Sequence, residues 1–198
     1  AVHRVNRDPE WILSTLAPRR MVRAGQPVAG FRIRPLSVTR EVVDRALEAA
    51  SPFRVAPFRP LKVGLVTTGS EIRSGKVSDA FRPRLLRKLD PLGGDLLDQW
   101  TVSDDLEDIA SAIRLALDRV ADLVLCTGGM SVDADDRTPG AIRSVADRVA
   151  FQGVPSLPGS MLMLAWAGDK ALVGAPACVV HDERTTLDRL LPFLFAGV

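Results

Sequence analysis

Two stretches of this chain, Thr67-Thr68-Gly69-Ser70-Glu71 and Thr127-Gly128-Gly129-Met130-Ser131, set hydroxyls and glycines directly after apolar runs. Glycine lets the backbone approach a ligand closely, successive N–H groups can cradle an anion, and Thr and Ser hydroxyls add donors to the same oxygens. One such turn is ordinary in any strand-to-helix connection. Two of them, with Gly174-Ala175-Pro176 closing a third apolar run, point to a phosphate-bearing ligand. Neither turn is a GxGxxG or a GxxxxGK[ST], so dinucleotide and P-loop readings both fail. Asp133, Asp135 and Asp136 follow the second turn within four positions. Carboxylates this close repel one another unless solvated, capping a helix or neutralised by a cation. Two readings stay open at this point: charge at the start of the next helix, or a divalent-cation or polar-ligand site beside the turn. Oxygen-only ligands would suit Mg²⁺, which commonly bridges carboxylate and phosphate.

Other reactive side chains are sparse. His3 and His181 have no evident partners, and neither HExxH nor CxxC occurs, which argues against a structural zinc site. Cys126 sits in an apolar run and reads as core; Cys178 follows Pro176-Ala177 and could touch a ligand there. Nothing is arranged as a Ser-His-Asp nucleophile. Two cysteines in 198 residues form no disulfide framework, and no basic-then-apolar leader opens the chain, so a cytoplasmic location is expected. The longest apolar stretch, Met161 to Ala167, is far too short to span a bilayer. The chain starts at Ala1 without a Met and is expected to be processed or to be the later part of a longer protein.

Charge divides the chain. Residues 1–62 carry twelve Lys/Arg against five Asp/Glu, whereas residues 63–198 carry fourteen against nineteen. The arginines of the basic part are scattered among Pro and apolar residues with no aromatic platform, so they read as solvated charge rather than a nucleic-acid tether.

The turns need elements to hold them. Over residues 1–60, Pro9, Pro18, Pro27, Pro35, Pro52, Pro57 and Pro60 forbid long helices and predict an irregular, extended arm. It contains one strand, Gly30 to Arg34, and one helix capped by Thr39 with Val42, Val43, Ala46 and Ala49 or Ala50 along a face. From Leu61 onward strands and helices alternate. Leu61–Val66, Leu96–Val102 and Asp122–Thr127 read as strands. Phe81, Leu85, Leu89 and Leu92 mark a helix stopped by Gly93-Gly94. Asp104 and Asp105 open another with Leu106, Ile109, Ile113, Ala116 or Leu117, and Val120 as its apolar face, and Thr138-Pro139 starts a third with Thr138 as its cap. Short strands follow near Val149–Val154, Met161–Ala165 and Ala171–Val173, then a helix carrying Leu187, Leu190, Leu191 and Leu194. The predicted fold is α/β in three layers over residues 61–198, a mostly parallel sheet with helices on both faces, preceded by the small arm. In such sheets ligands bind beyond the carboxyl ends of the strands, where both turns fall.

Taken together, these residues resemble the molybdopterin-binding domain family of molybdenum-cofactor biosynthesis. Val63-Gly64-Leu65-Val66-Thr67-Thr68-Gly69-Ser70-Glu71 is similar to its first strand and TG[DSN]E turn. Thr127 to Asp136 is similar to its TGG[VMT]S…D signature, and Val102-Ser103-Asp104-Asp105 to its V-x-D-D. Arg20 to Leu36 also resembles the segment that leads into this domain in the molybdenum-insertase branch.

The resemblance implies a pterin-phosphate ligand, molybdopterin or adenylylated molybdopterin, and a divalent cation, Mg²⁺. It implies that Thr127, Gly128, Gly129 and Ser131 hold the terminal phosphate, with Thr68, Gly69, Ser70, Asp133, Pro158, Gly159, Ser160 and Pro176 also lining the cofactor site. Asp136 matches the functionally critical acid, Glu71 and Asp105 match acids of the same pocket, and Asp135 and Asp136 are the candidate metal ligands. It further implies molybdate as a second substrate, a homodimer or homotrimer, and a molybdoenzyme client. The sequence departs from the insertase pattern at Leu157-Pro158-Gly159-Ser160, which lacks a lysine, and at Gly174-Ala175-Pro176-Ala177-Cys178-Val179. Two function classes follow: an enzyme of metal insertion, and a non-catalytic carrier or sensor of the cofactor. A nucleotide-processing enzyme on the same fold would need hydrolytic residues that the sequence does not display.

Overall fold

The computed structural model describes residues 2–69, 80–119, 121–131, 133 and 135–198. The chain divides into two compact units, Ala1–Val55 and Ala56–Val198.

In the first unit, helix α1 (Val2–Val5) precedes the antiparallel pair β1 (Trp11–Thr15) and β2 (Ala29–Ile33), and helix α2 (Arg40–Ala49) follows. Strand β1 was not expected from the sequence. Its outer edge is completed by a side chain: Asn6 Nδ2 donates to the Leu13 carbonyl at 2.9 Å, and Leu13 N–H donates to Asn6 Oδ1 at 2.8 Å. An amide side chain thus supplies the pairing that a third strand would provide, a long-range device with no local periodicity. Helix α2 begins after Thr39, whose hydroxyl bonds Glu41 and holds that carboxyl below its usual range. Val42 is buried, and Val43, Ala46 and Ala49 are half-buried beside it, as their spacing predicts.

The second unit carries a six-stranded sheet in the order β4-β3-β5-β8-β7-β6. Its strands are β3 (Lys62–Thr68), β4 (Asp95–Val102), β5 (Leu123–Thr127), β6 (Arg148–Gln152), β7 (Met163–Ala167) and β8 (Lys170–Ala175). The run β4-β3-β5-β8 is parallel; β7 is antiparallel to both β8 and β6. Both outer strands break register: Val63 and Gly64 of β3 pair with Leu96 and Asp98, passing over Leu97, and Val149 and Phe151 pair with Ala165 and Leu164, passing over Ala150.

Period-two alternation splits the buried residues of the sheet between its faces. Val63, Leu65, Leu123, Leu125 and Val173 pack against α3 (Phe81–Leu89), with its 3₁₀ extension Asp90–Leu92, and against α6 (Cys178–His181) and α7 (Thr186–Ala196). Val66, Val124, Cys126 and Leu172 pack against α4 (Leu106–Asp118) and α5 (Thr138–Val145). Each fully buried Leu or Ile here stabilises the fold by about 1.5–3 kcal/mol. The result is the three-layer α/β architecture expected from the alternation of elements. Phe81, Leu85, Leu89 and Leu92 are all buried, and Gly93, at φ 75°, ends the segment in the left-handed region. No helix among the described residues is long and apolar enough to cross a membrane.

Two helix starts differ from expectation. Leu106 is 38% exposed, whereas Ile109, Ile113 and Ala116 are buried as expected and Ala110 and Ala112 join them; Val120 lies outside the described residues. The small alanines let the helix sit close to the sheet. Arg137 rather than Thr138 occupies the N-cap of α5, without a side-chain cap bond. Thr138 is the first helical residue, and its hydroxyl turns inward to donate to the Gly128 carbonyl at 2.8 Å.

Both thiols are free. Burial pushes Cys126 up to about 12 from 9.0; partial burial, and then the nearby Asp182 carboxylate, raise Cys178. An unfolded thiol ionises near 9.0, so the stability conferred by keeping Cys126 neutral is complete below that pH and is lost on the way to about 12. A thiol-specific reagent at mildly alkaline pH should therefore modify Cys178 slowly and Cys126 only after denaturant is added. Rapid double labelling of the native chain would contradict the burial of β5.

Candidate functional site

Pairing aligns the carboxyl ends of four parallel strands. Thr68 stands opposite Val102, Thr67 opposite Thr127, and Thr127 opposite Ala175. The segments that follow therefore leave from one edge of the sheet. There the backbone of β5 crosses directly over the end of β3: a Cβ added to Gly128 would lie 2.5 Å from both the carbonyl oxygen and the Oγ1 of Thr68. Gly128 and Gly129 both have positive φ, 87° and 52°, so the turn depends on two consecutive glycines.

The turn is fastened at three points. Met130 is buried and lies over Gly174, where a Cβ would come within 2.5 Å of its Cε. Thr138 bonds the Gly128 carbonyl from α5. Beneath the turn, Gln99 Nε2 donates to Thr67 Oγ1 at 3.1 Å, and Thr127 Oγ1 lies 3.4 Å from the same oxygen. Thr127 is fully buried in this contact, so its hydroxyl serves the interior and its contribution to a ligand would come from the main chain. Thr68 is different. It is 3% exposed, and its Oγ1 is buried without a hydrogen-bond partner. A buried hydroxyl left unpaired costs about 1–3 kcal/mol, and a ligand oxygen arriving beside Gly128 would relieve that cost.

Ser131 ends the turn and organises the acidic loop. Its N–H and its hydroxyl lie 2.7 and 2.8 Å from Asp136 Oδ2, and the hydroxyl is also 2.9 Å from Asp133 Oδ2. Asp136 N–H donates to the Asp133 carbonyl at 3.1 Å, closing the loop. Asp135 is exposed to solvent. Among the described residues no three His, Cys, Asp or Glu side chains converge as metal ligands.

The remaining expected residues are spread along the same edge. Gly69 N–H donates to the Val102 carbonyl at 3.2 Å, tying the first turn to the end of β4. Asp105 is the N-cap of α4, accepting from the N–H groups of Glu107 at 2.9 Å and Asp108 at 3.2 Å. Its carboxylate thus already has a structural occupation. Pro158, Gly159 and Ser160 lie in the connection from β6 to β7, pinned to the start of α7: Thr186 N–H donates to the Pro158 carbonyl at 3.0 Å and Thr186 Oγ1 to the Gly159 carbonyl at 2.6 Å. This loop offers the helix N-terminus its own carbonyls. Pro176 is buried after β8. Ser70 and Glu71 lie outside the described residues. The Met130–Gly174 contact and the unpaired Thr68 hydroxyl went unrecognised in the sequence, because both arise from strands brought together only by folding.

The family profile described as "probable molybdopterin binding domain" matches residues 64–196. A molybdopterin molybdenumtransferase of Staphylococcus aureus is 30% identical over 119 residues, covering 57% of this chain and 28% of that protein. A CinA-like protein of Gemmatimonas aurantiaca is 39% identical over 88 residues, covering 44% of this chain and 20% of that protein. The chain thus spans less than a third of the length of either relative. In fold it is similar to the molybdopterin biosynthesis enzyme MoaB of Thermus thermophilus, with a TM-score of 0.59 at 24% identity, covering 70% of this chain and 98% of that one.

Proposed function

This chain belongs to the molybdopterin-binding domain family of molybdenum-cofactor biosynthesis, and from that premise we propose that it binds molybdopterin through the terminal phosphate in the Gly128–Ser131 turn. The observation that carries this reading is the Thr68 hydroxyl, buried and unpartnered where Gly128 crosses the end of β3. It waits for an acceptor at the point where a phosphate oxygen would enter. The N–H groups along Gly129 to Ser131 and the Ser131 hydroxyl are the further donors we assign to that phosphate. We assign Gly69 and Pro176 to the border of the pocket and Asp105 and Asp136 to its acids, Asp136 lying against the turn; Ser70 and Glu71 are assigned there from the family resemblance alone. The Pro158–Ser160 loop borders the far side.

The finer reading is metal insertion: molybdate meets the dithiolene of adenylylated molybdopterin, and the nucleotide leaves. A carrier or sensor serving a molybdoenzyme is the second reading, favoured by the Pro158–Ser160 loop, which presents carbonyls to Thr186 and has no lysine. A cytoplasmic homo-oligomer is the setting we propose for either.

Calorimetric titration with molybdopterin and with its adenylylated form, with and without Mg²⁺, separates the two. Wild-type chain should bind, and Gly129→Val should lose at least about tenfold in affinity: Gly129 is at φ 52°, with Thr138 Oγ1 3.1 Å from the added carbon. Preference for the adenylylated ligand supports insertion; equal affinity supports a carrier. Absence of binding to either ligand would remove the pterin site.

A further inference from the structure

Asp136 is bonded where a ligand phosphate should be. Its Oδ2 takes both the N–H and the hydroxyl of Ser131, at 2.7 and 2.8 Å. Its Oδ1 faces the glycine turn, 3.7 Å from the position of a Gly129 Cβ. The two oxygens of one carboxylate thus cover the mouth of the turn, and donors of Ser131 that serve a carboxylate oxygen cannot at the same time serve a phosphate oxygen. We propose that Asp136 is a built-in competitor for the anion-binding turn, holding it closed without ligand and swinging out when a phosphate monoester enters. This inference rests on the pterin-phosphate reading of the site given above.

Two observations indicate that the closed contact is provisional. Ser131 has a single hydroxyl proton, yet the carboxylates of Asp133 and Asp136 both approach that oxygen, at 2.9 and 2.8 Å. One of them always lacks the proton, and the two like charges are held together around it. Separately, the carboxylate does not complete the cradle. The hydroxyl of Thr68, beside Gly128 on the neighbouring strand end, stays buried and unpaired while Asp136 occupies Ser131. A phosphate has three terminal oxygens to a carboxylate's two, and so brings the turn one more acceptor than Asp136 does.

Affinity measured on such a site is the intrinsic affinity reduced by the fraction of molecules that stand open. Removing the competitor therefore tightens binding, the opposite of what removing a ligand-holding residue does. Titration of molybdopterin into wild type and Asp136→Ala should show the variant binding about tenfold tighter or more. The same substitution in a Ser131→Ala background should gain clearly less, about threefold, because the hydroxyl half of the contact has already been lost and only the main-chain N–H of residue 131 still holds Asp136; this coupling is what a double-mutant cycle isolates. Equal gains in both backgrounds would overturn the proposal, reducing it to the loss of a negative charge. Unchanged or weaker binding by Asp136→Ala, with wild type binding normally, would also overturn it and leave the pterin site standing. Failure of wild type to bind molybdopterin would overturn both. If Asp136→Ala does not fold, Asp136→Asn, which keeps the side-chain volume, replaces it with a smaller expected gain and the same overturning results.

Discussion

Gly128→Ala should lower the thermal midpoint by about 10 °C or more and abolish detectable molybdopterin binding. The added methyl has nowhere to go. It would lie 2.5 Å from the Thr68 carbonyl oxygen, which is main chain in a strand paired on both sides and cannot rotate away. The position also has φ 87°, where an L side chain adds about 1–2 kcal/mol of its own. Relief requires the end of β5 to lift from β3, drawing out the Thr138 bond to the Gly128 carbonyl. We expect about 3–5 kcal/mol in all, among the larger effects a single substitution produces. Each kcal/mol moves the midpoint of a chain this size by about 2–4 °C. Gly93→Ala is the comparison: it shares a positive φ of 75° but has no atom within 4 Å of the added carbon, and should cost only the backbone strain. Similar losses in the two variants, measured by scanning calorimetry, would show that the close approach to Thr68 carries no weight.

Asp188→Ala is expected to cost about 4 kcal/mol without touching the turn. The ammonium of Lys88, whose side chain is 8% exposed, lies 2.8 Å from both oxygens of Asp188 and 3.0 Å from the Glu183 carbonyl. Removing one partner of a buried pair leaves a desolvated charge behind, at about 3–5 kcal/mol. Asp188 also closes the capping box of α7, accepting from Thr185 N–H at 2.7 Å and from its hydroxyl at 3.0 Å. Loss of that cap contributes about 1 kcal/mol. Chemical denaturation would measure the total. Adding Lys88→Met to Asp188→Ala should recover part of the loss, since an apolar isostere in the same space no longer needs a counter-charge. A double variant as unstable as the sum of the singles would mean that the pair is not coupled.

Periodicity was enough to place most of the second unit. Phe81, Leu85, Leu89 and Leu92 fall on one face because a helix repeats every 3.6 residues, and Gly93 stops it because only glycine enters the left-handed region at little cost. The Thr127–Ser131 turn was legible from glycine and hydroxyl composition alone. What escaped depends on pairs distant in sequence. Nothing near Thr138 reveals that its hydroxyl would leave the cap position for Gly128, ten residues earlier, and nothing near Thr127 reveals that Thr67 would claim its side chain. Leu106 looks apolar and periodic, yet the register of α4 gives its place to the alanines. The cluster Asp133–Asp136 raised the right question, but Ser131, not a further acid, supplies its bonding.

The register breaks at Leu97 and Ala150 have a consequence for how copies of this chain can meet. They fall on β4 and β6, the two outermost strands of the larger sheet. A straight outer strand is a template for another strand, and uncontrolled addition of that kind leads to fibrils; an extra residue twists the template out of alignment. On β4, Asp98 Oδ1 also accepts the N–H of its neighbour Gln99 at 2.8 Å. Both margins of this sheet are therefore blunted. A strand arriving at either margin meets a template out of alignment with it.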